Sequence, residues 1–167
     1  MRVVLAHGVF DVLHLGHTRL FAAARKLGDI LVVSVTADRF VNKGPGRPIY
    51  NEHERAEMVR NVRCVDYVEI AHESTGVGMI RKLRPAIYAK GIDYLHADKN
   101  GALEQEKAAV EEYGGRLVLL DAAHIPSSEL IERVAKWSEP MQLGTARYPQ
   151  DNAKKYGAFI NTGTATL

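Results

Sequence analysis

His7 to His17 reads HGVFDVLHLGH, which places two glycines, one aspartate and three histidines within eleven residues, directly after an apolar run. Glycine, aspartate and histidine are poor choices for the interior of a strand or a helix, so the stretch reads as a loop built for chemistry. Gly8 lets the backbone approach a ligand closely or adopt a positive φ, and Gly16 keeps the crossing narrow before the next helix. His14 and His17 stand three residues apart and can face one anion, each donating a hydrogen bond to a phosphoryl oxygen and stabilising charge as it builds. With His17 and Thr18 at the start of a helix, free N–H groups and the positive end of the dipole add to that attraction. The loop suits a polyphosphate. Zinc is the weaker reading, because HLGH lacks the glutamate and the spacing of the helical zinc motif and no clear third ligand follows.

The surrounding elements must bring this loop to a crevice. Val3 to Ala6 is a short apolar strand. Leu20, Phe21, Ala24 and Leu27 recur at helical spacing behind His17, and Gly28 closes that helix. ILVVSV, Ile30 to Val35, reads as a buried strand. Val41 to Tyr50 carries two glycines and two prolines and reads as a loop. Asn51, with Glu54 three residues later, forms a capping-box signature for a helix running through Met58 and Val62.

Further strands are expected at Val65–Ile70, Ala86–Ala89 and Leu117–Leu120, and further helices at Val77–Leu83, Leu103–Tyr113 and Ser127–Trp137. Strict alternation of strand and helix predicts an α/β fold with a doubly wound, Rossmann-like sheet of five parallel strands. In the order 3-2-1-4-5 the first and fourth strands flank the switch point, where ligands bind beyond the carboxyl ends. HGVFD ends the first strand and KGIDY ends the fourth, so both face that crevice. The expected division is a domain over residues 1–137 and a tail from Ser138 to Leu167 with weak periodicity and no assigned role.

The composition is that of a soluble globular domain: 167 residues, 46% hydrophobic, 25% charged, with a net charge of +2. No basic arm is present, so nucleic acid is not the expected partner. No stretch approaches a membrane span, and the N-terminus lacks the long apolar run of a signal peptide. Cys64 is the lone cysteine and gives no sign of an oxidising compartment, which makes a cytoplasmic location the expectation.

The run G-V-F-D-x-x-H-x-G-H resembles the HxGH signature of the cytidylyltransferase-like nucleotidyltransferases. The resemblance extends from about Met1 to Trp137, through KGPGRPI, NEHERAEMV, VRCVDYVEI and PSSELI. It implies transfer of a nucleotidyl group from a nucleoside triphosphate to a phosphate or phosphonate oxygen, with release of pyrophosphate and no covalent enzyme intermediate.

Residue by residue, the resemblance gives His14, His17 and Lys43 catalytic roles and assigns Gly8, Val9, Phe10, Asp11, Gly16, Lys90, Gly91, Asp93, Ser127 and Ser128 to the nucleotide. Arg55 and Arg63 stand where some members place basic groups near substrate phosphate. Mg2+ would bridge the phosphates of ATP or CTP, held mostly by substrate oxygens, with Asp11 either orienting a loop or joining the metal's shell. A homodimer is expected, as members often form one.

AKGIDY with the helix and strand after it is similar to the heptose 1-phosphate adenylyltransferases, whereas VRCVDYVEI is nearer to the glycerol-3-phosphate cytidylyltransferases. The longer similarity favours ATP and a sugar 1-phosphate such as a heptose phosphate. A CTP-dependent enzyme for a polyol or amino-alcohol phosphate or a phosphonate is the alternative. The last motif departs from the family pattern, with Asp121, His124 and Pro126 where an arginine, a glycine and a serine are usual. That departure keeps open a nucleotide-binding regulatory module without turnover.

Overall fold

The computed structural model describes residues 1–92, 94, 101–121, 129–132 and 134. The expectations for Asp93, His124, Pro126, Ser127, Ser128 and the tail from Ser138 lie outside the described residues. By its contacts the chain divides into two units, Met1–Ile131 and Glu132–Leu167, and the fold described is that of the first.

Its elements follow in strict alternation: β1 (Val3–Gly8), α1 (Leu15–Arg25), β2 (Ile30–Thr36), α2 (Glu52–Arg60), β3 (Tyr67–Ala71), α3 (Val77–Leu83), β4 (Ile87–Gly91), α4 (Ala102–Glu111) and β5 (Arg116–Leu120). The five strands pair in the order β3-β2-β1-β4-β5, every pair parallel, as the alternation predicts. The central strands are apolar at successive positions because helices cover both faces of the sheet. Val4, Ala6, Val33 and Ala89 meet Phe21 and Ala24 of α1 and Val59 of α2 on one face. Leu5, Val32 and Tyr88 meet Ile80 of α3 and Val110 of α4 on the other. Among the described residues, no helix is long and apolar enough to cross a membrane.

Local signals account for most boundaries. The Asn51 side chain accepts from the backbone N–H of His53 and Glu54, and the Glu54 carboxylate accepts from the Asn51 N–H, which completes the predicted capping box. Several boundaries shift by one or two residues, and two of the shifts have a visible local cause. Helix α1 begins at Leu15 rather than His17, because the His14 side chain itself caps it. β3 begins at Tyr67 rather than Val65, because the Val65 N–H is bonded back to Val62 in a turn.

The second face carries a polar exception at the centre of the sheet. His7 is buried, its Nδ1 lying 2.8 Å from the Ser34 hydroxyl and its Nε2 3.4 Å from that of Thr36. Burial, reinforced by the nearby Lys90 ammonium, pulls the pKa of this imidazole from 6.5 down to about 3. The unfolded chain therefore takes up a proton on His7 well before the folded chain does. The stabilisation is complete above about pH 6.5 and is lost as the pH falls toward 3. Urea midpoints measured between pH 7 and 4.5 are expected to fall with acidification, and His7→Gln is expected to flatten that dependence. A variant that kept the full dependence would show that another group carries it.

Candidate active site

The residues between β1 and α1 form a tightly organised turn. Phe10 and Val12 both hold positive φ, at 51° and 56°, a region that bulky or β-branched residues seldom occupy. Such strain persists where surrounding contacts over-determine it, and those contacts are visible here. The Phe10 ring is buried and packs edge-on against His17 and Phe21, with centroids 5.2 Å and 4.9 Å away. It also folds back over Gly8, where an added Cβ would sit 3.0 Å from Phe10 Cζ. Gly8 is therefore needed for this packing and does not take the positive φ; Phe10 and Val12 take it instead.

His14 is the N-cap of α1, in an extended conformation, and its Nδ1 accepts the Gly16 N–H at 3.1 Å. This leaves Nε2 as the position for the ring proton in the neutral tautomer. The His14 and His17 rings stack with centroids 3.7 Å apart and planes 28° apart. Two imidazoles thus lie side by side at the first turn of α1, steadied from below by Phe10.

Asp11 is fully buried beneath this turn. Its Oδ2 lies 2.5 Å from Arg47 Nε, and its Oδ1 accepts the N–H groups of Ile49 and Tyr50 at 3.0 and 3.3 Å. Burial pushes the Asp11 carboxyl up, but the Arg47 bond and the two backbone bonds outweigh it, and the net shift is downward. Asp11 thus ties the histidine turn to the end of the 41–50 loop, on which Lys43 is exposed. Of the two roles expected for it, loop orientation is the one the geometry displays. With both oxygens engaged, it does not fit the role of metal ligand.

Arg55 corrects an expectation. It is fully buried on α2 and does not present its guanidinium to a substrate. Nε donates to Tyr50 O at 2.9 Å, Nη1 to Val9 O at 2.5 Å and Nη2 to Thr36 O at 2.7 Å, with the Asp38 carboxylate 2.6 Å from Nη2. One side chain therefore joins the histidine turn, the end of β2 and the end of the lysine loop. The fold does not bring Arg63 to the histidines of the same chain. It lies in the turn after α2, where Asp66 bonds the backbone N–H of Leu31 near the start of β2. That is the amino-terminal edge of the sheet, roughly 20 Å of strand away from the histidines.

Lys90 corrects a further expectation: the resemblance assigns it to the nucleotide, but it is buried in β4 with Nζ 3.0 Å from Glu106 Oε2 of α4. Gly91 ends β4, is buried and pairs with Leu120. Sequence reasoning missed Glu106 and Arg47. Glu106 was legible as a carboxylate on the stripe of Leu103, Ala109 and Val110, and Arg47 had no signal beyond its place in a Gly/Pro loop.

An open groove lies beyond the ends of β2 and β3, lined by Asp38, Arg39, Asn51, His53 and His72 among others. The site thus combines paired imidazoles at a helix start with a lysine-bearing loop held by the Asp11–Arg47 ion pair and by the Arg55 bond to the Tyr50 carbonyl, and a polar groove opens beyond the ends of the neighbouring strands.

A family model described as Cytidylyltransferase-like matches residues 5–133. The chain is 41% identical over 135 residues to the bifunctional protein HldE of Syntrophotalea carbinolica, covering 79% of this chain and 26% of that one. It is 43% identical over 120 residues to the bifunctional protein HldE of Streptomyces coelicolor, covering 71% and 25%. The chain thus spans about a quarter of the length of these curated relatives. Among solved structures, a lipopolysaccharide core biosynthesis protein from Thermoplasma volcanium superposes with a TM-score of 0.60 at 27% identity, covering 75% of this chain and 99% of that one.

Proposed function

Since the chain belongs to the cytidylyltransferase-like family of nucleotidyltransferases, we propose that it transfers the nucleotidyl group of ATP to a sugar 1-phosphate such as a heptose phosphate. An oxygen of the acceptor phosphate attacks the α-phosphorus, the bond from that phosphorus to the bridging oxygen breaks, and pyrophosphate leaves. Little covalent chemistry falls to the protein; its work is positioning and charge stabilisation.

The stacked pair of His14 and His17 at the start of α1 carries this reading. Each imidazole would donate to a phosphate oxygen where charge develops, and the helix start adds backbone dipoles of the same sign. Lys43 would reach across from its loop to neutralise the phosphate chain, in a place set by Asp11 and Arg55. Ser127 and Ser128 would hold the β- and γ-phosphates. Mg2+ bound with the nucleotide would supply charge neutralisation at the phosphates, held mostly by substrate oxygens rather than by side chains. The acceptor would lie in the groove beyond β2 and β3, where Arg39, His53 and His72 suit its phosphate and Asp38 suits its hydroxyls. The working unit in this reading is a cytoplasmic homodimer.

The test is a matrix of four nucleoside triphosphates against a panel of phosphorylated acceptors, read by pyrophosphate release. Turnover with ATP and a heptose 1-phosphate is the expected result. Turnover only with CTP and a polyol phosphate would replace the substrate assignment. Release with no pair would overturn the catalytic reading.

A further inference from the structure

We propose that Glu106 is a positioning residue for the nucleotide, acting through Lys90 and the Gly76 amide to fix the carboxyl end of β4 against the histidine turn. The proposal rests on the nucleotide site described above and extends it to a helix on the opposite face of the sheet.

Glu106 lies on the core-facing stripe of α4, among Leu103, Ala109 and Val110, and is 1% exposed. A charged carboxylate is retained in such a place only when partnered. Here its two oxygens have separate tasks. Oε2 lies 3.0 Å from Lys90 Nζ in β4, and Oε1 accepts the Gly76 N–H at 2.7 Å, at the start of α3. Gly76 makes room for this: a Cβ there would lie 2.5 Å from the Tyr88 hydroxyl and 3.1 Å from Glu106 Oε1. The Lys90 ammonium is also 4.0 Å from the centroid of the Tyr94 ring and 5.6 Å from that of Tyr88, within the range of cation–π attraction.

Stability alone does not account for the pair. Replacing a buried ion pair with neutral groups of similar volume is often neutral or stabilising. What the pair supplies is direction. It joins α3, β4 and α4 at the level where β4 leaves the sheet, with Tyr94 just beyond. The β1–β4 register runs through Ala6 and Ala89, so Lys90 lies beside His7, one residue before Gly8 and the turn that carries the imidazoles. Because β1 and β4 flank the crevice, a displacement of the end of β4 would change the shape of the nucleotide site.

The test uses the full chain and compares Glu106→Gln, Lys90→Met and the double variant with the unmodified protein. Glutamine keeps an acceptor for the Gly76 N–H, and the double variant leaves no unpaired buried charge, so its thermal midpoint is expected to stay near that of the parent. Its dissociation constant for ATP, by calorimetry, is expected to rise roughly tenfold or more, as displacement of a positioning contact does. The KM for the acceptor should hold. A folded double variant that binds ATP as tightly as the parent overturns the proposal. If the unmodified protein binds no nucleoside triphosphate, the nucleotide site itself fails, and the positioning role fails with it. Should Lys90→Met alone not fold, the Glu106→Gln variant decides by the same ATP measurement.

Discussion

Replacing His17 with alanine is expected to lower the turnover number by roughly a hundredfold or more while the chain stays folded, because a donor aimed at developing phosphate charge is removed. The fold should tolerate the change. His17 sits in the first turn of α1, where alanine is a good helix former, and the Phe10 ring retains Phe21 and Gly8 as packing partners. His14 requires a different design, because its Nδ1 caps the helix. His14→Asn keeps a capping acceptor and removes the second imidazole, so it is expected to spare stability and still lose turnover. Circular dichroism beside single-turnover rates separates the two effects. Wild-type turnover in His17→Ala would contradict the role given to the ring pair.

The largest structural effect is expected at Arg55. Substitution with methionine leaves the carbonyls of Val9, Thr36 and Tyr50 and the Asp38 carboxylate without their shared donor. Removing one partner from a buried, hydrogen-bonded charge pair costs about 3–5 kcal/mol. Asp38 is partly open to water, which favours the lower end of that range. Activity should fall with stability, since the same guanidinium holds the histidine turn and the lysine loop in register. Arg63→Ala is the matched control. That residue is exposed at the far edge of the sheet, and its loss is expected to change stability by less than about 0.5 kcal/mol and the rate hardly at all. Urea unfolding with steady-state kinetics on both variants checks the contrast. Equal effects at the two arginines would return Arg63 to the site.

The fold was legible because its signals are local and mutually consistent. β-branched runs, helical spacing and the Asn51 capping box each act over a few residues, and their alternation leaves few topologies. The histidine motif was legible for the same reason: its glycines, its aspartate and its two imidazoles lie within one turn and one helix start. What could not be read was the destination of long polar side chains. The resemblance places Arg55 and Arg63 near substrate phosphate and Lys90 at the nucleotide. The sheet instead gives Arg55 a cage of backbone carbonyls, carries Arg63 to the opposite edge and buries Lys90 against Glu106. Those outcomes depend on contacts between residues as far as 46 positions apart in the chain. Phe10 and Val12 at positive φ were hidden too, since glycine is the usual sign of that conformation and here the neighbouring glycine serves another purpose.

The most direct measurement is a crystal structure of the chain with Mg2+ and an ATP analogue whose α–β bridge resists cleavage. The account predicts phosphate oxygens within hydrogen-bond distance of the His14 and His17 rings at the first turn of α1, with Lys43 drawn toward the same phosphates. A nucleotide bound elsewhere on the chain, with both imidazoles turned away from it, would contradict the account.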